Sequence, residues 1–163
     1  AFGQSNQLYS PLQLANYVAT LVSGGKHCQA HLLKTAKTYD NSEVVAVGNT
    51  EPINEIDISD ENLRAVKEGM KGLVEGTLSP YFKNCVVSAG AKTGTSQVRA
   101  DTKNHGVFVC FAPYDDPEIA VAIAIERADA GAALASTAVN ILNAYFTPPE
   151  DTVAITGENQ LLP

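Results

Sequence analysis

This chain of 163 residues has too few cysteines, too little positive charge and too few consecutive apolar residues for several broad classes of protein. Its three cysteines, Cys28, Cys85 and Cys110, are an odd set, so a complete disulfide framework is impossible. With 11 basic against 18 acidic residues the net charge is −7, which argues against nucleic-acid binding and against docking on anionic lipid. The longest apolar run, Ile119–Ile125, falls far short of the roughly 20 residues a membrane-spanning helix needs. The N-terminus has neither an initiator methionine nor a signal peptide and reads as an engineered boundary or a cleavage point. No internal repeat or low-complexity segment is visible. What is present is 45% hydrophobic content, in a length that suits one domain with a sizeable core.

Periodicity and punctuation lay out the elements. Ser10-Pro11 is an N-cap with proline at the first helical position, and Leu12, Ala15, Val18 and Val22 line one face until Gly24. Strands near 31–39 and 43–48 form a hairpin around Asp40-Asn41-Ser42. Ser59 caps a second helix, with Asp60 and Glu61 favourable for its dipole. Leu63, Val66, Met70 and Leu73 form its buried stripe and Gly76 ends it. Three strands follow near 86–98, 105–112 and 118–126, joined by short turns and therefore antiparallel. A last amphipathic helix covers 131–146, with Leu134, Val139, Leu142 and Phe146 on its apolar side; Pro148-Pro149 end it, and the polar tail 147–163 is expected to be mobile.

The chemistry concentrates in Val86–Val98, VVSAGAKTGTSQV. On a strand, Lys92 projects its ammonium to one face and Thr93 and Thr95 alternate around Gly94, where a ligand can lie close against the backbone. Cation, hydroxyls and bare backbone suit an extended ligand ending in a carboxylate. A nucleotide-binding loop would need glycines where Ala91 and Val87 stand, so that reading fails. His27, Cys28 and His31 are close in sequence, yet a structural zinc site needs four ligands and no second Cys/His pair follows at finger spacing. An ordinary loop is expected there, without metal. Cys110 falls in a buried-looking strand and reads as a small hydrophobe.

K-T-G is one of three motifs of penicillin-binding proteins and serine β-lactamases, the others being S-x-x-K and S-D-N. The flanks of Lys92-Thr93-Gly94-Thr95 make the likeness specific. Gly3-Gln4 with SPLQLANYVATLVSGG (10–25), SDENLRAVKEGMKGLVEG (59–76) with Thr77, the KTGT strand, His105–Pro113 with Tyr114-Asp115-Asp116-Pro117, and EIAVAIAIE (118–126) are five blocks in order. Together they resemble the C-terminal half of a class B penicillin-binding protein transpeptidase domain over Gly3–Phe146. The fold this implies is α+β, an antiparallel sheet carrying the KTGT strand with packed helices, part of a penicillin-binding-protein/β-lactamase-like domain over 1–146.

The same resemblance implies acyl transfer at a D-alanyl-D-alanine peptide through a serine placed upstream. Lys92 and Thr95 take catalytic roles: the lysine biases the pocket towards anions, and the Thr95 backbone N–H is one of two oxyanion donors. Thr93, Gly94, Thr95, Ser96 and Gln97 contact substrate, with the hydroxyls of Thr93 and Thr95 on its carboxylate. The one literal S-x-x-K, Ser23-Gly24-Gly25-Lys26, fails because two glycines end a helix where the chemistry needs one to continue. Tyr39-Asp40-Asn41 reads as a hairpin turn and not as a variant second motif. The chain is therefore expected to be a fragment without its nucleophile. Arg99, Asp101, Lys103 and His105 read as a solvated turn, and Val107 departs from the family's usual aromatic. Expected partners are peptidoglycan stem peptides ending in D-Ala-D-Ala, β-lactams, the upstream half of the same domain, and a second copy of the fragment; no cofactor and no nucleic acid. The parent is expected to be membrane-anchored with its catalytic domain extracytoplasmic. A non-catalytic scaffolding module, or part of a β-lactamase or β-lactam sensor, would share the motif.

Overall fold

The computed structural model describes residues 8–97 and 102–147. Helix α1 (Pro11–Val22) begins with a reciprocal cap. The Gln13 N–H donates to Ser10 Oγ at 3.3 Å, and the Ser10 N–H donates to Gln13 Oε1 at 2.8 Å. That satisfies two donors that a helix start otherwise leaves open. It ends where Gly24 and Gly25 adopt φ of 75° and 92°. A side chain at Gly25 would collide with the Ile56 carbonyl, so only glycine fits that turn. Ser23 lies within this stop, its Oγ donating to the carbonyls of Thr20 and Lys26.

Two small ribbons follow. Strand β1 (Lys26–Cys28) pairs antiparallel with β4 (Pro52–Glu55), and between them β2 (Thr35–Lys37) pairs with β3 (Val44–Val47). The hairpin expected around Asp40 is present with shorter strands. Asn41 takes φ 59°, and the Asp40 carboxylate accepts from Thr38 Oγ1 at 2.6 Å and Ser42 Oγ at 2.8 Å. Those bonds lower its pKa to about 2, below the usual carboxylate value. His27 and Cys28, expected in a loop, instead form β1.

Helix α2 (Asp60–Glu75) starts at Ser59, whose Oγ accepts from the Asn62 N–H, and α3 (Ser79–Phe82) is a short turn after it. Then come β5 (Gly90–Ser96), β6 (His105–Ala112) and β7 (Ile119–Ile125), an antiparallel sheet in the order β5-β6-β7. A 3-10 turn at Gly131–Leu134 leads into α4 (Ala135–Phe146). The architecture is α+β, as the sequence implies.

The sheet is covered on both faces, and β6 shows why. Its side chains alternate, so Phe108, Cys110 and Ala112 face one way and Val107, Val109 and Phe111 the other. The first set meets Leu78, Phe82, Leu134, Ala138 and Leu142. The second meets Val18 of α1 and Met70 of α2. Phe108, Phe111 and Leu142 have no exposed surface, and each such side chain contributes on the order of 1.5–3 kcal/mol by burial.

Three expectations need correction. Leu12 is 65% exposed, because it lies about 120° round the helix from Val18, which defines the buried stripe; Leu14 and Leu21 flank that stripe instead. Val66 is also exposed, since it borders a cleft between α1 and α2, while Val74 takes a buried position further along. Residues 86–89 are not strand. The Val86 N–H donates to Asn143 Oδ1 at 2.9 Å, and Asn143 Nδ2 donates to the Asn84 carbonyl at 3.0 Å, so this segment bonds to α4 before β5 begins. The tail from 148 on lies outside the described residues.

Two glycines make opposite predictions. A methyl at Gly72 of α2 meets nothing, whereas at Gly131 it would collide with the backbone carbonyls of Val107 and Gly94. Gly72→Ala should raise stability by about 0.5–1 kcal/mol, and Gly131→Ala should lower it by roughly 1–3 kcal/mol or more. The urea midpoints of the two variants against wild type check both signs.

Candidate active site

Strand β5 carries the KTGT residues on the edge of its sheet, with β6 as its strand neighbour among the described residues. Register runs Lys92↔Val109, Thr93↔Phe108, Gly94↔Val107, Thr95↔Gly106 and Ser96↔His105. Alternation puts Lys92, Gly94 and Ser96 on the α1/α2 face and Thr93 and Thr95 on the α4 face. Gln97 follows the strand and is exposed. Five of the six candidate residues are thus contiguous on one edge strand.

The backbone alternates as well. Gly131 sits against the N and O of Gly94 and the O of Val107, so the Gly94 peptide groups point inward, towards β6. The Thr93 carbonyl points to the outer edge, where Lys92 Nζ donates to it at 2.6 Å. With a period of two, the N–H of Thr95 faces the same outer edge. An ammonium and a backbone N–H are therefore presented along one line, the combination that stabilises a carboxylate or an oxyanion.

Lys92 also forms the floor of a cleft of about 400 Å³ between α1 and α2, with Tyr17, Val18, Val66 and Met70 among its walls. Lys92 is the charged residue of that lining, and the remainder is largely apolar. A second groove opens on the same face from Gly94, Thr95 and Ser96.

The other sequence candidates are accounted for by structural roles. Lys103 pairs with Asp129 at 2.7 Å in an exposed ion pair, an interaction worth about 0–1 kcal/mol. His105 Nδ1 accepts the Arg127 N–H at 3.2 Å, which leaves the ring proton on Nε2. Arg99 and Asp101 lie outside the described residues. The His27 ring bonds Asn16 Nδ2 through Nε2 at 3.1 Å and Asn54 Oδ1 through Nδ1 at 3.2 Å, and so ties α1 to β4. Cys28 Sγ donates to the Thr50 carbonyl, and the His31 ring lies beside Gly48, away from this network. Among the described residues no group of three His, Cys, Asp or Glu side chains is placed to hold a metal ion.

Sequence reasoning missed Gly131 and Asn143. Neither carries a local signal, because each acts on a segment dozens of residues earlier.

Residues 1–146 match the family of the penicillin-binding protein transpeptidase domain. The chain belongs to that family. Penicillin-binding protein 2A of Bacillus subtilis is 29% identical over 140 residues, which is 77% of this chain and 19% of that protein. The Escherichia coli peptidoglycan D,D-transpeptidase MrdA is 29% identical over 158 residues, 86% of this chain and 25% of that one. Among solved structures, Pseudomonas aeruginosa PBP2 in complex with WCK 5153 superposes with a TM-score of 0.75 at 28% identity, covering 91% of this chain and 33% of that one. Penicillin-binding protein A of M. tuberculosis, as an imipenem acyl-enzyme, shares the fold at 24% identity with a TM-score of 0.76 over 88% of this chain and 32% of that one. The match is to class B penicillin-binding proteins, and the chain spans about a fifth to a quarter of these curated relatives. No helix among the described residues is long and apolar enough to cross a membrane.

Behind the KTGT strand, burial pushes the Cys110 thiol up to about 12, with Cys85 nearby adding to the shift. Thiolate is the reactive form, so Cys110 should stay unlabelled by iodoacetamide at pH 8 until the chain unfolds, while the half-exposed Cys28 reacts in the native state. Peptide mapping after timed labelling, with and without urea, checks the order.

Proposed function

We propose that this segment forms the KTGT wall of a serine D,D-transpeptidase that cross-links peptidoglycan stem peptides and is acylated by β-lactams. The observation that carries the reading is the outer edge of β5, where Lys92 Nζ and the Thr95 N–H face one direction beside an apolar cleft. A serine hydroxyl from another segment attacks the penultimate carbonyl of a peptide ending in D-Ala-D-Ala. The carbonyl oxygen becomes an oxyanion, and the Thr95 N–H donates to it. Collapse expels D-alanine, which takes up the proton the serine gave away. The ester is then attacked by an amine of a neighbouring peptide, which forms the cross-link and returns the serine.

Lys92 draws the terminal carboxylate into place and supports proton movement near the serine. Thr93 and Thr95 hydroxyls bind that carboxylate, Gly94 lets the peptide approach the strand, and Ser96 and Gln97 contact its flanks. Losing one oxyanion donor of this kind costs about 2.7–4 kcal/mol in the barrier. The cleft between α1 and α2 receives the segment that carries the serine, which brings an attacking hydroxyl beside Lys92. Without that segment the uncovered cleft favours self-association. In the intact parent, a membrane anchor would hold this domain outside the cytoplasm, where its peptide substrates are.

Two measurements test the reading together. The 163-residue chain alone should gain no penicilloyl mass on incubation with benzylpenicillin, because Ser23 of its one S-x-x-K is spent on a helix stop. In the whole protein, Lys92→Ala and Thr95→Val should slow acylation, by about tenfold for each 1.36 kcal/mol of lost stabilisation. A penicilloyl adduct on the isolated chain, or equal rates for wild type and Lys92→Ala, would overturn the assignment.

A further inference from the structure

The strand that carries KTGT is braced from behind by a residue to which the transpeptidase reading gives no role. Gly131 opens the 3-10 turn before α4 and lies buried on the α4 face of the sheet, over the Gly94↔Val107 pair. A methyl built on it would collide with the oxygens of Gly94 and Val107 and stand 2.9 Å from the Gly94 nitrogen. All three are backbone atoms, so no side chain can swing aside to make room.

The chain reaches this contact through an unusual backbone. Arg127 and Asp129 take left-handed φ of 57° and 67°, a region that residues other than glycine seldom adopt. The Arg127 N–H donates to His105 Nδ1 at 3.2 Å, and the Asp129 N–H donates to the Asn104 carbonyl at 3.1 Å. Gly106 leaves room for the segment, since a side chain there would stand 3.1 Å from Ala128 Cβ and from the Ala130 oxygen. Beyond Gly131, Leu134 and Ala135 are buried in the core. Backbone outliers tied down at both ends in this way occur where position matters.

We infer that Gly131 is a positioning residue for acyl transfer, acting on the oxyanion through the Gly94–Thr95 peptide. The inference rests on the transpeptidase reading for the role of the Thr95 N–H. The Gly94 carbonyl and the Thr95 N–H are opposite ends of one planar trans unit. Gly131 seats the carbonyl end on the β6 side, while the N–H end faces the outer edge of β5. Because the unit is rigid, a shift at the carbonyl is carried to the N–H. A methyl at position 131 cannot be taken up by β6, the central strand, whose Phe108, Cys110 and Phe111 have no exposed surface. Either the turn lifts away or β5 moves, having a strand neighbour on one side only among the described residues. Both unseat the peptide plane. Gly131 itself touches no reacting atom; it acts through the N–H of another residue.

The test uses the whole protein and stopped-flow acylation by a fluorescent penicillin. The amplitude gives the share of molecules that react, and the saturating rate constant describes those that do. A merely structural defect lowers the first and leaves the second alone. Gly131→Ala should lower the rate constant by about ten- to a hundredfold, since a misplacement of about 1 Å can cost 10²-fold. The rate constant and its ratio to the half-saturating concentration should fall together, as when an interaction made in the transition state is lost. Leu142→Ala, which opens a cavity about two turns into α4, should lower Tm and keep the wild-type rate constant. Gly106→Ala presses on the same segment more gently and should slow acylation less; it decides the case if Gly131→Ala does not fold. A wild-type rate constant in Gly131→Ala, or in Gly106→Ala where the first variant gives no folded protein, would overturn the inference. So would an equal slowing by Leu142→Ala. If Lys92→Ala still slows acylation in these cases, the transpeptidase reading stands and the Gly131 assignment alone fails. If Lys92→Ala matches wild type, the reading itself fails, and the inference with it.

Discussion

Everything proposed for this chain depends on β5 remaining an edge strand of a sheet that helices pack from both sides. Edge strands are hazardous, since a row of backbone donors and acceptors invites pairing with another chain. Here the hazard and the use coincide. Lys92 reaches its ammonium over the edge to the Thr93 carbonyl at 2.6 Å, which places a charge on the row that a foreign strand would otherwise extend. A charged lysine is a common device for protecting an edge, and it is also what an anionic ligand needs there. One residue serves both constraints.

The rigidity of that edge comes from behind it. The Gly131 backbone rests on the peptide groups of Gly94 and Val107, and a side chain at Gly106 would press on Ala128 and Ala130. Missing side chains on both sides allow the 3-10 turn before α4 to contact the β5–β6 ladder directly. The segment leading into the turn is tied back to β6 by the Asp129 N–H, which donates to the Asn104 carbonyl at 3.1 Å. An N–H that must meet a developing charge gains from such bracing, because a donor already in position needs no reorganisation during reaction.

Much of this was legible in the sequence because the signals are local. Ser10-Pro11, Ser59 with Asp60 and Glu61, and the Gly24-Gly25 stop each act within one helical turn, and each appears where its residues imply. The apolar runs of β6 and β7 are short and β-rich, with a turn sequence between them, so their antiparallel pairing followed. KTGT and its flanking blocks indicated the family and the strand that carries the motif; its place at the sheet edge came only from the pairing order. Other features failed to show because they are contacts across the fold. Leu12 and Val66 have the right hydropathy for a core, but which side of each helix is covered depends on the neighbours. The Asn143 amide binds residues 84 and 86 from 57 to 59 positions away and so removes four residues from the expected strand. His27 and Cys28 became strand because β4, more than twenty residues later, supplies a partner.

The two depressions on the α1/α2 face differ in a way that fits a division of labour. The Lys92 cleft is smaller, bounded by two helices, and apolar apart from its one cation. Such a surface gains from being covered by another apolar element, because burial then stabilises the contact and leaves the lysine in a less polar setting where its charge acts more strongly. The groove beyond Gly94 is larger, has small side chains between α1 and the sheet, and ends at a carboxylate. Gly94 lies between the two, where β5 presents bare backbone. A side chain there would stand 3.3 Å from Val107 Cβ, tighter than ordinary contact, so the strand stays bare only because the residue is glycine.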